Sequence, residues 1–213
     1  MNDIKRIATF DVDAQKGFTE LCPDELPVPG GTEIVDALNY MATKGSIRVG
    51  SKDAHPANPV WEANESQPML TPLDYPNADL AWNLHCVVGT KGFELLDGLP
   101  AVEDYDFFVY KGMEKDLHPY GACFHDIKET MPTGVVDFLK QKGVDTVIVS
   151  GLAYDHCVKT TALQLVRAGF TVYLYEPASR GIMEETCAVA KEEMEREGVV
   201  RIGTKEELDK LFP

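Results

Sequence analysis

The second half of the chain alternates helical segments, glycines and short apolar strands, and this alternation limits the fold more than any other feature. Helix 132–142 leads through Gly143 to "DTVIVSG" (145–151). Helix 155–168 leads through Gly169 to "TVYLYE" (171–176). Helix 184–197 leads through Gly198 to "VVRI" (199–202), and a last helix covers about 204–211. Strands with apolar interiors between helices indicate a parallel sheet covered on both faces. The first half adds strand "KRIATFDV" (5–12), a helix over about 33–44 with Ile34, Val35, Leu38 and Met41 at helical spacing, strand "SIRVGSK" (46–52) and strand "DFFVYK" (106–111). The expectation is an α/β fold, a three-layer αβα arrangement around a central parallel, Rossmann-like sheet. At 213 residues the chain suits one domain, 1–213.

Two stretches resist this scheme. Residues 53–103 are long, irregular and rich in Pro, Asn and Asp, and a second irregular stretch follows strand 106–111 to about 131. Loops of that length inside a compact domain are functional or disordered.

In open α/β sheets the site lies beyond the carboxyl ends of the strands. Asp13 follows the first strand, Asp53 and His55 the second, Lys111 the third, and Ala153 to Cys157 the fourth. The reactive residue types therefore collect on one edge of the sheet.

Cys157 stands where a helix begins, so its thiol feels the positive end of the dipole, which favours thiolate. The preceding turn offers backbone N–H groups for an oxyanion. A nucleophile, a metal or redox thiol and a buried core thiol all remain open for it. His156 is a poor base, because neighbours on a helix point about 100° apart, and Asp155 reads as the helix N-cap. Asp13 reads as a base or as a turn residue, with Asp11 on the same side of the strand. Lys111 reads as a partner for thiolate and carboxylate or as a solvated lysine.

"KDAHP" sets Asp53 and His55 at i, i+2, which share a face on an extended chain. His85 in "WNLHCV" completes two imidazoles and a carboxylate, a set suited to Zn²⁺, Mn²⁺ or Fe²⁺. Glu62, Glu65 or water would supply a fourth ligand. Phe18, Trp61, Trp82 and Tyr120 lie in nearby loops, as a satellite core or as walls for a flat ring. The same Asp–His–His set would also serve a non-haem iron oxygenase, which leaves Cys157, Asp13 and Lys111 idle.

Composition excludes other classes. A net charge of −15 repels phosphate backbones, so nucleic acid is not an expected partner. No window nears 18 unbroken apolar residues, so no membrane partner is expected. The start "MNDIKRIATFDVDAQ" lacks an apolar signal core, and five widely spaced cysteines without CxxC do not make a disulfide framework. A reducing cytoplasm fits. A homo-oligomer is compatible with the sequence but not specified by it.

Five segments together resemble the nicotinamidase/isochorismatase-like cysteine hydrolases, nicotinamidases above all: "DAQKGF" (13–18), "SKDAHPAN" (51–58), "WNLHCVVGTKGFEL" (82–95), "YKG" (110–112) and "SGLAYDHCVKTTAL" (150–163). The resemblance implies a catalytic triad of Cys157, Asp13 and Lys111. It implies one divalent metal ion, zinc first and manganese or iron as alternatives, on Asp53, His55 and His85. It implies an oxyanion hole from the N–H groups of Ala153 and Cys157, a cis peptide before Ala153, and a ring sandwich of Phe18 and Trp82. The implied activity is deamidation of nicotinamide through a thioester, with another small amide, ureido or N-carbamoyl compound as the alternative substrate. The chain departs from the family at Lys16 and Gly17, at Tyr154 where threonine is common, in a longer His55–His85 segment, and at "HPYGACF" (118–124). These departures touch the pocket wall, so Tyr120 and Tyr154 join the substrate-binding candidates.

Overall fold

The computed structural model describes residues 6–213; Lys5 of the first expected strand and the amino-terminal residues before it lie outside the described residues. Strand β1 (Ile7–Val12) begins the sheet, followed by α1 (Val35–Ala42), β2 (Ile47–Asp53), the short strands β3 (Pro72–Tyr75) and β4 (Ala78–Leu80), and β5 (Phe107–Lys111). The second half carries α2 (Val135–Gln141), β6 (Thr146–Leu152), α3 (Lys159–Arg167), β7 (Thr171–Arg180), α4 (Glu184–Arg196), β8 (Val200–Ile202) and α5 (Lys205–Leu211). The six-stranded sheet runs β5-β2-β1-β6-β7-β8, with every neighbouring pair parallel. The order grows outward in both directions from β1 and β6. Their carboxyl ends therefore form the crevice where a doubly wound sheet binds its ligand.

Alternate residues of the strands feed two apolar layers. Phe10, Val147 and Val149 pack with Leu139 of α2, Leu165 of α3 and Met194 of α4. Ile148 and Leu152 pack with Leu38 and Met41 of α1 and Leu208 of α5. All of these are buried, which makes the fold the three-layer αβα arrangement expected from the sequence. The layers explain the uniformly buried β6, because a strand covered on both faces has no solvent side to mark with polar residues. Strands β1 and β6 approach so closely that a Cβ on Gly151, whose φ is +131°, would strike the Val12 backbone. No helix among the described residues is long and apolar enough to cross a membrane.

Three boundaries differ from the sequence expectation. The 53–103 stretch is not wholly irregular: β3 and β4 form an antiparallel hairpin, and His55 and Glu62 make isolated bridges to Val87 and Trp82. The helix expected from 155 begins as a wide π turn, Tyr154–Val158, before α3. Strand β7 runs on past Pro177 to Arg180, through a register shift that pairs Gly151 with Ser179.

Candidate active site

The crevice between β1 and β6 gathers four buried ionisable groups. Asp13 leaves β1 with φ of +45°, an uncommon conformation for a side-chain-bearing residue. Ser51 holds it there, its hydroxyl donating to Asp13 Oδ1 at 2.6 Å and its carbonyl accepting from the Asp13 N–H at 3.2 Å. The second oxygen, Oδ2, is left to face Lys111 Nζ at 3.0 Å. Lys111, at the end of β5, also donates to Asp53 Oδ1, to the Pro119 carbonyl at 3.3 Å and reaches Cys157 Sγ at 3.7 Å. Asp13 and Lys111 are fully buried, and Asp53 and Cys157 nearly so.

The charges settle each other. Burial works against the Lys111 ammonium, but Asp13 and Asp53 outweigh it and hold the lysine protonated well above its usual range. Burial would raise Asp53 too, yet Lys111 and then His55 pull it below the carboxylate range. Asp13 goes the other way: burial and the Asp53 charge raise it against the pull of Lys111. Burial also pushes the Cys157 thiol well up, Lys111 opposing and the two aspartates adding to the rise. The thiolate expected from the helix dipole is thus not the resting form, and the thiol needs a base at the moment of attack. A carboxylate raised towards the thiol is such a base. The Lys111 contact sets Cys157 apart from buried Cys123, which is pushed up to about 12, chiefly by burial.

Asp11 is not part of this group. Its Oδ2 accepts from Arg48 Nη2 at 2.6 Å and the Tyr105 hydroxyl at 2.9 Å, on the far face of β1. The choice between the two aspartates, open in the sequence, falls to Asp13.

A cluster of imidazoles adjoins Asp53. Its oxygens lie 3.6 Å from His55 Nε2 and 3.8 Å from His85 Nε2. Each ring has its other nitrogen on a backbone carbonyl: His55 Nδ1 on Gly112 at 3.1 Å and His85 Nδ1 on Asn83 at 2.6 Å. Those bonds fix the tautomers and turn both Nε2 atoms towards Asp53, the usual second-shell device of a metal site. Burial and the neighbouring His55 lower His85 to about 3, which keeps it neutral and able to coordinate. Among the described residues, buried His55 Nε2 has no hydrogen-bond partner. A carboxylate with two convergent imidazoles fits a divalent metal ion. His118 joins the cluster, its ligand atom and those of His55 and His85 all lying within 4.8 Å of one another.

Glu62 and Glu65 do not join it. Glu62 pairs through its backbone with Trp82, and Glu65 is exposed. The sequence alone does not single out His118, because "HPYGACF" reads as pocket wall. Its signal was slight: one of five histidines, in a segment just after a site-bearing strand.

A small cavity opens between the two clusters. Phe18, Trp82 and Tyr120 line it, as do Ala153 and Cys157. Trp82 Nε1 donates to the Tyr120 hydroxyl at 3.1 Å, and that hydroxyl donates to Asp79 at 2.8 Å, which fixes two aromatic walls. The peptide before Ala153 is cis. The aromatic lining suits a flat ring.

Two expectations for the nucleophile turn are corrected. Tyr154 does not line the cavity; its hydroxyl lies 3.4 Å from Glu176 Oε1, beside Arg180 and Cys187. His156, expected to face away, does line it, with its ring 5.0 Å from Trp82 and 5.7 Å from Tyr120. The segment Tyr154–Val158 is a π turn and not regular α-helix, and His156 and Cys157 both line the cavity. Asp155, expected to cap its own helix, instead holds the chain that leads into α4. Its carboxylate accepts from the N–H groups of Ile182 and Met183, at 3.1 and 3.3 Å, and from the Thr186 hydroxyl, at the start of α4.

Comparison with known proteins shows the family. The isochorismatase domain model matches residues 12–206. The chain is 32% identical to a nicotinamidase of Acinetobacter baylyi, over 96% of each chain. Among solved structures, an Acinetobacter baumanii nicotinamidase/pyrazinamidase superposes with a TM-score of 0.86 at 30% identity, covering 99% of this chain and 100% of that one. The pyrazinamidase of Pyrococcus horikoshii in complex with zinc gives 0.75 at 29% identity, covering 93% and 99%. The family match runs from the end of β1 into α5 and takes in every residue of both clusters, so the chain belongs to the isochorismatase family.

Proposed function

We propose that the protein is a hydrolase of amide C–N bonds that deamidates nicotinamide to nicotinate and ammonia, with Cys157 as nucleophile, Asp13 as base and Lys111 as the cation between them. The observation that carries this reading is Lys111, which reaches Asp13, Asp53 and Cys157 with one buried ammonium beside an aromatic-lined cavity. The nicotinamidases among its relatives favour this amide over others.

The steps follow from the geometry. Asp13 takes the thiol proton, and the Cys157 sulfur bonds to the carboxamide carbon. The oxyanion that forms lies by the N–H groups of Ala153 and Cys157, where loss of one donor typically costs about 3–4 kcal/mol. As the C–N bond breaks, the Asp13 proton moves to nitrogen and ammonia leaves. Water then attacks the thioester, giving its proton to Asp13, and the C–S bond breaks to release nicotinate and the thiol. Phe18, Trp82 and Tyr120 hold the ring. Asp53, His55 and His85 would hold the metal, zinc in this reading, which supplies a Lewis-acid anchor for the ring nitrogen. All the proposed site residues belong to one sheet and its loops, so we read the chain as one hydrolase domain. The five cysteines are all free, which suits a reducing cytoplasm.

Ammonia release from nicotinamide, benzamide and an N-carbamoyl amino acid tests the assignment. Nicotinamide should be turned over fastest, and benzamide, which lacks the ring nitrogen, should lose at least about tenfold in kcat/KM, about 1.4 kcal/mol. Faster turnover of the N-carbamoyl compound would overturn it.

A further inference from the structure

We propose that His118 is a metal ligand, the third imidazole of a four-donor protein site with Asp53, His55 and His85. The inference rests on the metal-site part of the functional reading above and adds a donor from the loop after β5.

Three independent observations carry it. First, His118 is 4% exposed, yet among the described residues neither ring nitrogen has a hydrogen-bond partner. A buried imidazole N–H or lone pair without a partner costs free energy, and in native proteins such groups call for an explanation. His55 Nε2, across the cluster, is orphaned in the same way. Second, the ring separations are those of a common ligation centre. Ring centroids lie 4.8 Å apart for His55–His85, 5.3 Å for His55–His118 and 5.8 Å for His85–His118. Imidazoles bound at about 2.0–2.1 Å around a tetrahedral ion hold their centroids about 5 Å apart. Third, the backbone on both sides of His118 is fastened. The Leu117 carbonyl accepts from Trp61 Nε1 at 3.1 Å, the His118 N–H donates to the Asn77 carbonyl at 2.7 Å, and the Pro119 carbonyl accepts from Lys111. The edge of Trp61 also packs on the imidazole, with centroids 4.5 Å apart. Fixed backbone and packed ring are what a preorganised donor needs.

The alternative role is a wall of the ring pocket, since His118 lies nearly parallel to Trp82, with centroids 5.9 Å apart and planes at 13°. His118→Phe keeps a flat ring there and removes the donors, so it separates the two roles.

The test is zinc K-edge X-ray absorption on the zinc-loaded protein, joined to zinc titration against a chromophoric chelator. Wild type should show three imidazoles in the first shell. His118→Phe and His118→Gln should show two, with zinc affinity reduced at least about tenfold; His55→Ala is the positive control. Two imidazoles in wild type overturn the proposal whether or not any variant folds, and so does an unchanged count and affinity in His118→Phe. A wild-type protein that holds no stoichiometric zinc overturns the metal site as a whole. Lack of activity on nicotinamide with three imidazoles present would overturn the substrate and leave this ligand standing.

Discussion

Lys111 Nζ lies 3.0 Å from Asp13 Oδ2 and hydrogen-bonds Asp53 Oδ1 as well, so one buried ammonium joins the proposed base to the proposed metal ligand. Each aspartate depends on that cation, because none of the three groups is more than about 3% exposed. Lys111→Met leaves two buried carboxylates without their counter-ion. Removing one partner from a buried pair costs about 3–5 kcal/mol. We expect a loss of that size in denaturant unfolding, together with loss of ammonia release. A Lys111→Met protein that keeps both stability and activity would remove lysine from the account.

Gly112 controls His55. Its carbonyl fixes the ring through Nδ1, its φ is +71°, and a Cβ there would come within 2.5 Å of the His55 ring. Gly112→Ala must therefore tilt the imidazole away from Asp53. Its zinc affinity should fall about 10- to 100-fold, measured by competition with a chelator, while the circular dichroism spectrum stays as in wild type. Unchanged affinity would mean that His55 is not held in place by this carbonyl.

Tyr154 tests the corrected pocket. Among the described residues its hydroxyl hydrogen-bonds Glu176 alone, at 3.4 Å, and it does not line the cavity. Tyr154→Phe should change stability by no more than about 0.5 kcal/mol and leave the order of preference among nicotinamide, benzamide and an N-carbamoyl compound as it is. A change in that order would return Tyr154 to the substrate site.

Asp126 sets an acid limit on the loop that follows Tyr120. Burial would raise its carboxyl, but hydrogen bonds from the Thr130 side chain and from the Met131 and Thr130 N–H groups outweigh burial and hold it below the ordinary range. The unfolded chain, with its carboxyl near about 3.9, then takes up the proton first as pH falls. The stability from Asp126 is full above that value and is lost as pH drops through the folded one. Melting temperature followed from about pH 6 to about pH 3 should fall less steeply in Asp126→Asn than in wild type. Equal slopes would show that the turn is indifferent to this charge.

Much of this architecture was legible because buried parallel strands read as apolar runs, and β6, buried throughout, is the plainest case. Asp13, Lys111 and Cys157 could be brought together because each follows a strand of one parallel sheet. What escaped depended on local backbone. The π turn at 154–158 reversed the roles of Tyr154 and His156, and no residue in "YDHCV" distinguishes a wide turn from an ordinary one. Asp155 looked like a cap for its own helix, but Ile182 and Met183, distant in sequence, present their N–H groups to it. The position of His118 depends on a loop fastened by Trp61 and Asn77, and such long-range bonds have no periodicity to read.

The central claim is that the Cys157 sulfur bonds to the carboxamide carbon. The direct measurement is intact-protein and peptide mass spectrometry of enzyme quenched in acid during turnover of nicotinamide, with ammonia followed in parallel. The account predicts a nicotinoyl group on the peptide carrying Cys157, absent from Cys157→Ala, which should release ammonia at no more than about one-thousandth of the wild-type rate. Ammonia release by Cys157→Ala near the wild-type rate, with no adduct on Cys157 in wild type, would contradict it.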